Sequence, residues 1–274
     1  MTLSQTYLNY PTDWTMDNRD EAQEFAEGAD VLIFQEVLFK VPGMKLDKLA
    51  LPDNTIIYGL GSMMRSHLLD TMNYMRNGYH VLPPLSDPTI AQWIGGAPFE
   101  AIIVDSRIED LVKGIKRNKT ITISHAPTKE MKGEETFEKI VKELGVEWMV
   151  VKGKSWEEAI KERAKAQIML DSLGDVSYGL ACLEGLMLGQ EVISNISPWC
   201  YALHPNLPMK TLWKKDEKQI AESLIHAIIT CKDERDGALN IKGQRKFDKL
   251  WVENHFSPGI QARNWERYIE FAIN

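Results

Sequence analysis

Between residues 119 and 195 short apolar runs alternate with amphipathic ones, and that alternation leaves few folds open. "KTITISHAP" (119–127), "VEWMVVKG" (146–153), "QIMLDS" (167–172) and "QEVISN" (190–195) read as strands. Between them, "GEETFEKIVKELG" (133–145) reads as a helix with acids early and a closing Gly. "SWEEAIKERAKA" (155–166) opens with Ser155 and has Glu158 three residues on, the spacing of a capping box. The third helix lies in "SYGLACLEGLMLG" (177–189). Strands separated by helices in this way predict an α/β fold with a parallel, doubly wound sheet.

The pattern is looser upstream. "ADVLIFQEV" (29–37), "NTIIYGLG" (54–61) and "YHVLPP" (79–84) read as strands, and "EAIIVD" (100–105) as another extended piece. "MMRSHLLDTMNYMRNG" (63–78) and "SDPTIAQWIGG" (86–96) read as helices. The polar stretch 106–119 separates the two halves. Downstream, "ISPWCYALHPNLPMKTLW" is irregular and holds three prolines, and helices follow near 216–231, 243–254 and 257–274.

Composition narrows the class. Hydrophobic residues at 44% and charged ones at 26% are those of a soluble globular chain. No run of about 18 apolar residues is present to span a membrane. The start "MTLSQTYLNYPTDW" has no signal-peptide pattern, and Cys182, Cys200 and Cys231 lack metal spacing, so a cytoplasmic chain with reduced thiols is expected. A formal net charge of −7 argues against coating nucleic acid non-specifically, though it leaves room for a local basic groove.

In open α/β sheets ligands bind beyond the carboxyl ends of the strands. Here those positions are His125, Lys152 and Gly153, Asp171 to Gly179, and Asn195, with Lys129 and Lys132 just before a helix. The helix starting near Gly179 offers unpaired N–H groups and its positive dipole end to an anion, and Gly179 lets a bulky anion approach. Glu184 sits about one turn into this apolar helix, where a carboxylate is costly unless satisfied. Phosphate at the helix start and ribose hydroxyls on Glu184 describe a sugar nucleotide. Plainer readings stand beside these: Lys132 as a solvated lysine, Glu184 in a salt bridge, His125 in the core, and Arg65 paired with Asp70. Trp93, Trp148, Trp156 and Trp199 read as packing.

"HAPTKEMKG", "VVKG" and "AQIMLDSLGDVSYGLACLEGLMLGQEVI" resemble the donor-binding half of GT-B glycosyltransferases of the large retaining group called family 4. "GLGSMMR" (59–65) resembles that group's "HGS..R" loop. The resemblance implies two Rossmann-like domains facing a cleft, the first one short. They would be an acceptor-side domain over 1–106, a nucleotide-sugar donor domain over 107–256, and a helix over 257–274 crossing back. It also implies roles. Lys132, followed by Gly133, would bind the diphosphate and Glu184 the ribose; many members carry an Arg with that lysine where this chain has Ala126, and Lys129 could supply the charge. Tyr178, Gly179 and Leu180 would form the turn whose amides meet phosphate, with His125 nearby and Lys152 and Gly153 near the base. Gly61, Ser62 and Arg65 would act from across the cleft. The sequence departs from the group at Val176, where many members carry a first glutamate, with Asp175 beside it, and at Leu60 in place of the loop histidine.

The implied activity is transfer of a sugar, from a UDP-sugar, to an acceptor hydroxyl with retention. Catalytic roles fall to Lys132, Glu184 and Arg65. No Asp-x-Asp motif is present, so neither a metal nor a cofactor beyond the donor is expected. The acceptor is left open among carbohydrate, lipid and a modified DNA base such as a hydroxymethylpyrimidine. The rival class is a non-catalytic nucleotide-sugar-binding subunit. A Rossmann dehydrogenase ranks lower, because no Gly-x-Gly-x-x-Gly follows a strand.

Overall fold

The structure, a computed structural model, describes residues 24, 27–35, 55–58, 72, 75–76, 80–82, 102–127, 133–173, 178–212 and 216–273. The chain divides into two compact units, Met1–Phe99 with Trp265–Asn274, and Glu100–Asn264.

In the first unit β1 (Leu32–Gln35), β2 (Thr55–Tyr58) and β3 (His80–Leu82) form a parallel sheet in that order. All three lie inside runs expected to be strands. Met72, Met75 and Arg76 are helical, inside the expected helix 63–78. The expected helix 86–96 lies outside the described residues.

The second unit runs α1 (Ile108–Leu111), β4 (Thr122–His125), α2 (Glu134–Glu143), β5 (Glu147–Val150), α3 (Trp156–Arg163), β6 (Ile168–Leu170), α4 (Leu180–Met187) and β7 (Glu191–Ser194). It continues with α5 (Pro198–Leu203), β8 (Lys210–Thr211), α6 (Glu217–Arg235) and α7 (Lys242–Phe256), and α8 (Pro258–Ile273) follows. The strands form one sheet in the order β5-β4-β6-β7-β8, all parallel. The chain goes outward from β4 to β5, then jumps back across β4 to β6. That reversal puts a topological switch point between β4 and β6, where such sheets bind ligands.

The sheet is buried on both faces, which is why its strands read as apolar runs rather than alternating ones. Ile168 and Leu170 of β6 pack with Phe137, Ile140 and Val141 of α2 and with Leu224 and Ile228 of α6. Met169, pointing the other way, packs with Ile160 of α3, Leu183 and Leu186 of α4, and Trp251 and Phe256 of α7. Each fully buried Ile or Leu here contributes about 1.5–3 kcal/mol. Helix α4 lies almost on the sheet. A Cβ added at Gly185 would stand 2.8 Å from Met169 Sδ and 2.9 Å from Val192 Cγ2, so the close approach requires glycine. Helix α3 opens with the expected capping box between Ser155 and Glu158.

Two expectations differ from what is observed. Residues 102–105, read as an extended piece, join neither sheet; the Val104 N–H instead donates to Phe256 O at 3.0 Å. The polar stretch 106–119, for its part, is largely exposed but anchored at two points. Ile108 is fully buried, and Arg117 caps the end of α4 through Leu188 O (3.0 Å) and Gly189 O (2.5 Å). The proline-bearing stretch after β7, read as irregular, holds α5 and the short edge strand β8. All three thiols are buried and unbridged.

Candidate functional site

The carboxyl ends of β4, β5, β6 and β7 bring together most of the described candidates. His125 ends β4. It is fully buried, with Nδ1 2.8 Å from Leu170 O, stacked on Trp148 and edge-on to Phe137. The imidazole thus packs against β5, β6 and α2 at the end of β4.

Just past β6, Asp171 and Ser172 are buried and tied to β7. The Asp171 N–H donates to Ile193 O at 3.0 Å, and the Asn195 N–H donates to Ser172 O at 2.9 Å. Asn195 Nδ2 donates to Leu173 O at 3.1 Å, and the Cys182 thiol to Asp171 Oδ2 at 3.2 Å. These bonds fix the root of the loop leading to α4. Leu173 meets Gly133, the residue before α2: a Cβ at Gly133 would lie 2.6 Å from Leu173 Cδ1. Gly133 also holds φ +86°, a left-handed value that favours glycine.

Lys152, just past β5, forms an ion pair with Glu134 in the first turn of α2, with its own side chain half exposed. Gly153 follows at φ +66° with open space around it.

Tyr178 is buried among Phe256 and His204, so its ring belongs to the core and only its backbone lines the turn into α4. Gly179 precedes α4 with ordinary extended dihedrals. A Cβ there would meet nothing within 4 Å. No side chain among the described residues caps α4, and its first turn carries no acid. Leu180, its first residue, is exposed. Among the described residues, then, no side chain covers the N-terminus of α4 at the carboxyl edge of the sheet.

Glu184 is 5% exposed, and the protein supplies its partners. Trp156 Nε1 donates to Oε1 at 2.7 Å, and Arg163 NH1 donates to Oε2 at 2.5 Å. Trp156 follows the loop leaving β5, so Oε1 faces that rim. Arg163 is the last residue of α3 and is as buried as its partner. Trp156 is itself held from outside by the Arg107 guanidinium, 5.4 Å from the ring centroid. Arg107 is pinned by Asp105, whose carboxyl it holds below the usual range by hydrogen bonding. Sequence reasoning did not assign Arg163 any role, and it read Trp156 as packing alone.

Lys132, Lys129, Arg65, Gly61, Ser62 and Asp175 lie outside the described residues. Among the described residues no group of three or more His, Cys, Asp or Glu could hold a metal ion, and no helix is long and apolar enough to cross a membrane.

No protein-family model matches the chain, and no curated protein sequence does. Its structure is similar to that of a sucrose-phosphate synthase from Thermosynechococcus elongatus, with a TM-score of 0.56, 11% identity, and coverage of 92% of this chain and 76% of that one. The pneumococcal O-GlcNAc transferase GtfA, solved with UDP and GlcNAc, matches over 80% of this chain at 12% identity and a TM-score of 0.43. This chain spans 45% of the GtfA chain's length. The fold of the first of these is shared: an α/β architecture built on parallel, Rossmann-like sheets.

Proposed function

We propose that the chain is a glycosyltransferase that moves a sugar from a nucleoside diphosphate, with UDP the expected carrier, to an acceptor hydroxyl. The observation that carries this reading is the start of α4. Among the described residues Gly179 is required neither by its backbone angles nor by any atom near it, and the helix end it opens has no side-chain cap. A diphosphate set against those amides would give the glycine its reason. The position also lies on the carboxyl edge of a parallel sheet, where this architecture binds ligands. A sucrose-phosphate synthase of similar fold fits a sugar-transfer reading.

Glu184 is the proposed ribose acceptor. Its two protein donors use two of the roughly four lone-pair sites of an ionised carboxylate, which leaves capacity for a hydroxyl. Lys132, with Lys129 and Arg65, is the proposed counter-charge to the diphosphate. In the reaction the bond from the anomeric carbon to the β-phosphate oxygen breaks, and the acceptor oxygen bonds to that carbon on the same face. The acceptor proton passes to the departing phosphate. Charge builds on the leaving diphosphate, so donors fixed beside it lower the barrier. The reaction as proposed uses no metal, in keeping with a sequence that has no Asp-x-Asp motif.

Calorimetry with UDP on the wild type, Lys132→Ala and Glu184→Gln tests the assignment. Loss of a hydrogen bond to a charged group predicts roughly tenfold or greater weakening in each variant. Equal affinity in all three proteins, each with a cooperative thermal melt, rejects it. Glu184→Gln is preferred to Glu184→Ala because it keeps the side-chain volume and an oxygen to which Arg163 can donate; both changes remove the buried counter-charge, which is why a cooperative melt is required of each variant.

A further inference from the structure

We infer that Arg163 is a positioning residue for sugar-nucleotide recognition: it holds Glu184 as a fixed, ionised acceptor for a ribose hydroxyl, and Trp156 sets the direction of the outer oxygen. This rests on the reading of Glu184 given above and adds the residues that make it work.

The geometry divides the carboxylate in two. Oε2 points inward to Arg163 NH1, and Oε1 points to the rim, toward Trp156. The guanidinium approaches end-on through one nitrogen. Its NH2 is spent on Ala181 O at 2.6 Å and on Met169 Sδ at 3.1 Å. Ala181 lies three residues before Glu184 on α4, so Arg163 is referenced to the same helix whose carboxylate it holds. The two therefore move as one body. Arg163 Nε has no hydrogen-bond partner among the described residues. Its placement is thus dictated by α4, not by its own full solvation.

A purely architectural purpose explains this pair poorly. Two buried opposite charges are costly to desolvate, and apolar side chains of similar volume commonly join two helices as well or better. The surroundings are apolar already: Ile160, Met169, Leu183 and Met187 belong to the same core. The pair accounts for itself if what is needed at the rim is a carboxylate that stays charged and does not rotate. Preorganisation of that kind improves binding by removing the cost of ordering the acceptor when the ligand arrives.

The discriminating measurement is the affinity ratio between UDP and 2′-deoxy-UDP, which differ by one ribose hydroxyl. The wild type is expected to prefer UDP by about tenfold, the size of one charge-assisted hydrogen bond. Arg163→Met is expected to bring the ratio to within about twofold while leaving affinity for 2′-deoxy-UDP nearly unchanged. Arg163→Lys keeps the charge, but a single ammonium cannot reproduce the guanidinium's paired contacts with Glu184 and Ala181. It is expected to fall between, and it carries the test if Arg163→Met does not fold. Trp156→Phe, on the half-buried side, is expected to lower the ratio partly. A variant that keeps the wild-type ratio overturns the inference, and so does one that weakens both nucleotides equally, the mark of a structural role alone. A wild type that binds UDP and 2′-deoxy-UDP alike overturns the ribose assignment of Glu184, and this inference with it. A wild type that binds neither overturns the proposed UDP-sugar function as well.

Discussion

Gly133→Ala tests whether the glycine before α2 serves the protein or a ligand. Its φ of +86° places a non-glycine residue in the left-handed region, at about 1–2 kcal/mol. The added Cβ would sit 2.6 Å from Leu173 Cδ1, 2.8 Å from its Cγ and 3.0 Å from its Cβ, so the leucine must shift. Overpacking of this kind costs about 1–3 kcal/mol. Against these, alanine restricts the unfolded chain, a gain of about 0.4–1 kcal/mol. The expected net loss is about 1–4.5 kcal/mol, read from urea unfolding at unchanged slope. The steric part can be isolated. In a Leu173→Ala background the two closest contacts, to Cδ1 and Cγ, are gone and only the Cβ at 3.0 Å remains beside the backbone cost, so the two changes should couple by about 1–3 kcal/mol. A Gly133→Ala protein within about 0.5 kcal/mol of wild type would refute the reasoning, since neither strain nor crowding would then be real. Additivity of the two changes would refute the steric half alone.

Gly179→Ala should leave the urea midpoint unchanged while weakening UDP binding, because its Cβ enters open space on the ligand side. Gly185→Ala should destabilise by about 1–3 kcal/mol through Met169 and Val192; calorimetry and urea melts on the same pair check both. Cys231, by contrast, tests the core chemically. Burial first, and the charge of Glu191 second, push its thiol up to about 11 from 9.0. The folded chain therefore keeps a proton that the unfolded chain gives up above pH 9, and the associated stability, up to about 2–3 kcal/mol, is present below pH 9 and lost as pH rises through about 11. Urea midpoints should fall more steeply from pH 8 to 10.5 in wild type than in Cys231→Ala, and equal slopes would reject the shift. At pH 8 none of the three buried thiols should react with a disulfide reagent until the chain unfolds.

How far the sequence could be read followed the range of the interactions involved. Every expected strand and helix between 119 and 195 is present, because each is announced locally by its apolar run and its closing Gly or cap. Strand β8 was not legible: two residues just after the last of three prolines, paired to β7 only after α5 has turned the chain, carry no periodicity of their own. "EAIIVD" had the composition of a strand, but its backbone finds Phe256 from α7, a choice made by tertiary packing. Glu184 was legible as an anomaly, a lone carboxylate in an apolar helix. Its partner was not. Arg163 is 21 residues away and ends a helix in "KER", where a basic residue suits the helix dipole and reads as solvated. Only the crossover that lays α3 beside α4 turns that ordinary helix end into a buried counter-ion.

The two charged groups at the sheet's carboxyl edge are held very differently, and the difference constrains how a ligand could be bound. Lys152 pairs with Glu134 at the surface, with about half of the lysine side chain exposed. Such a pair contributes little to stability, so the lysine can leave it for a ligand at small cost. Glu184 has no such freedom, because rotating it away from Arg163 would leave a guanidinium buried without a counter-charge. A site built this way orients its ligand from the fixed carboxylate and lets the mobile ammonium adjust. Lys152→Ala should accordingly leave the UDP to 2′-deoxy-UDP ratio unchanged even where it lowers overall affinity, whereas Arg163→Met should do the reverse. If Lys152→Ala were the variant that erased the ratio, the orienting group would be the ammonium, and the rigid pair would have to be assigned to the fold alone.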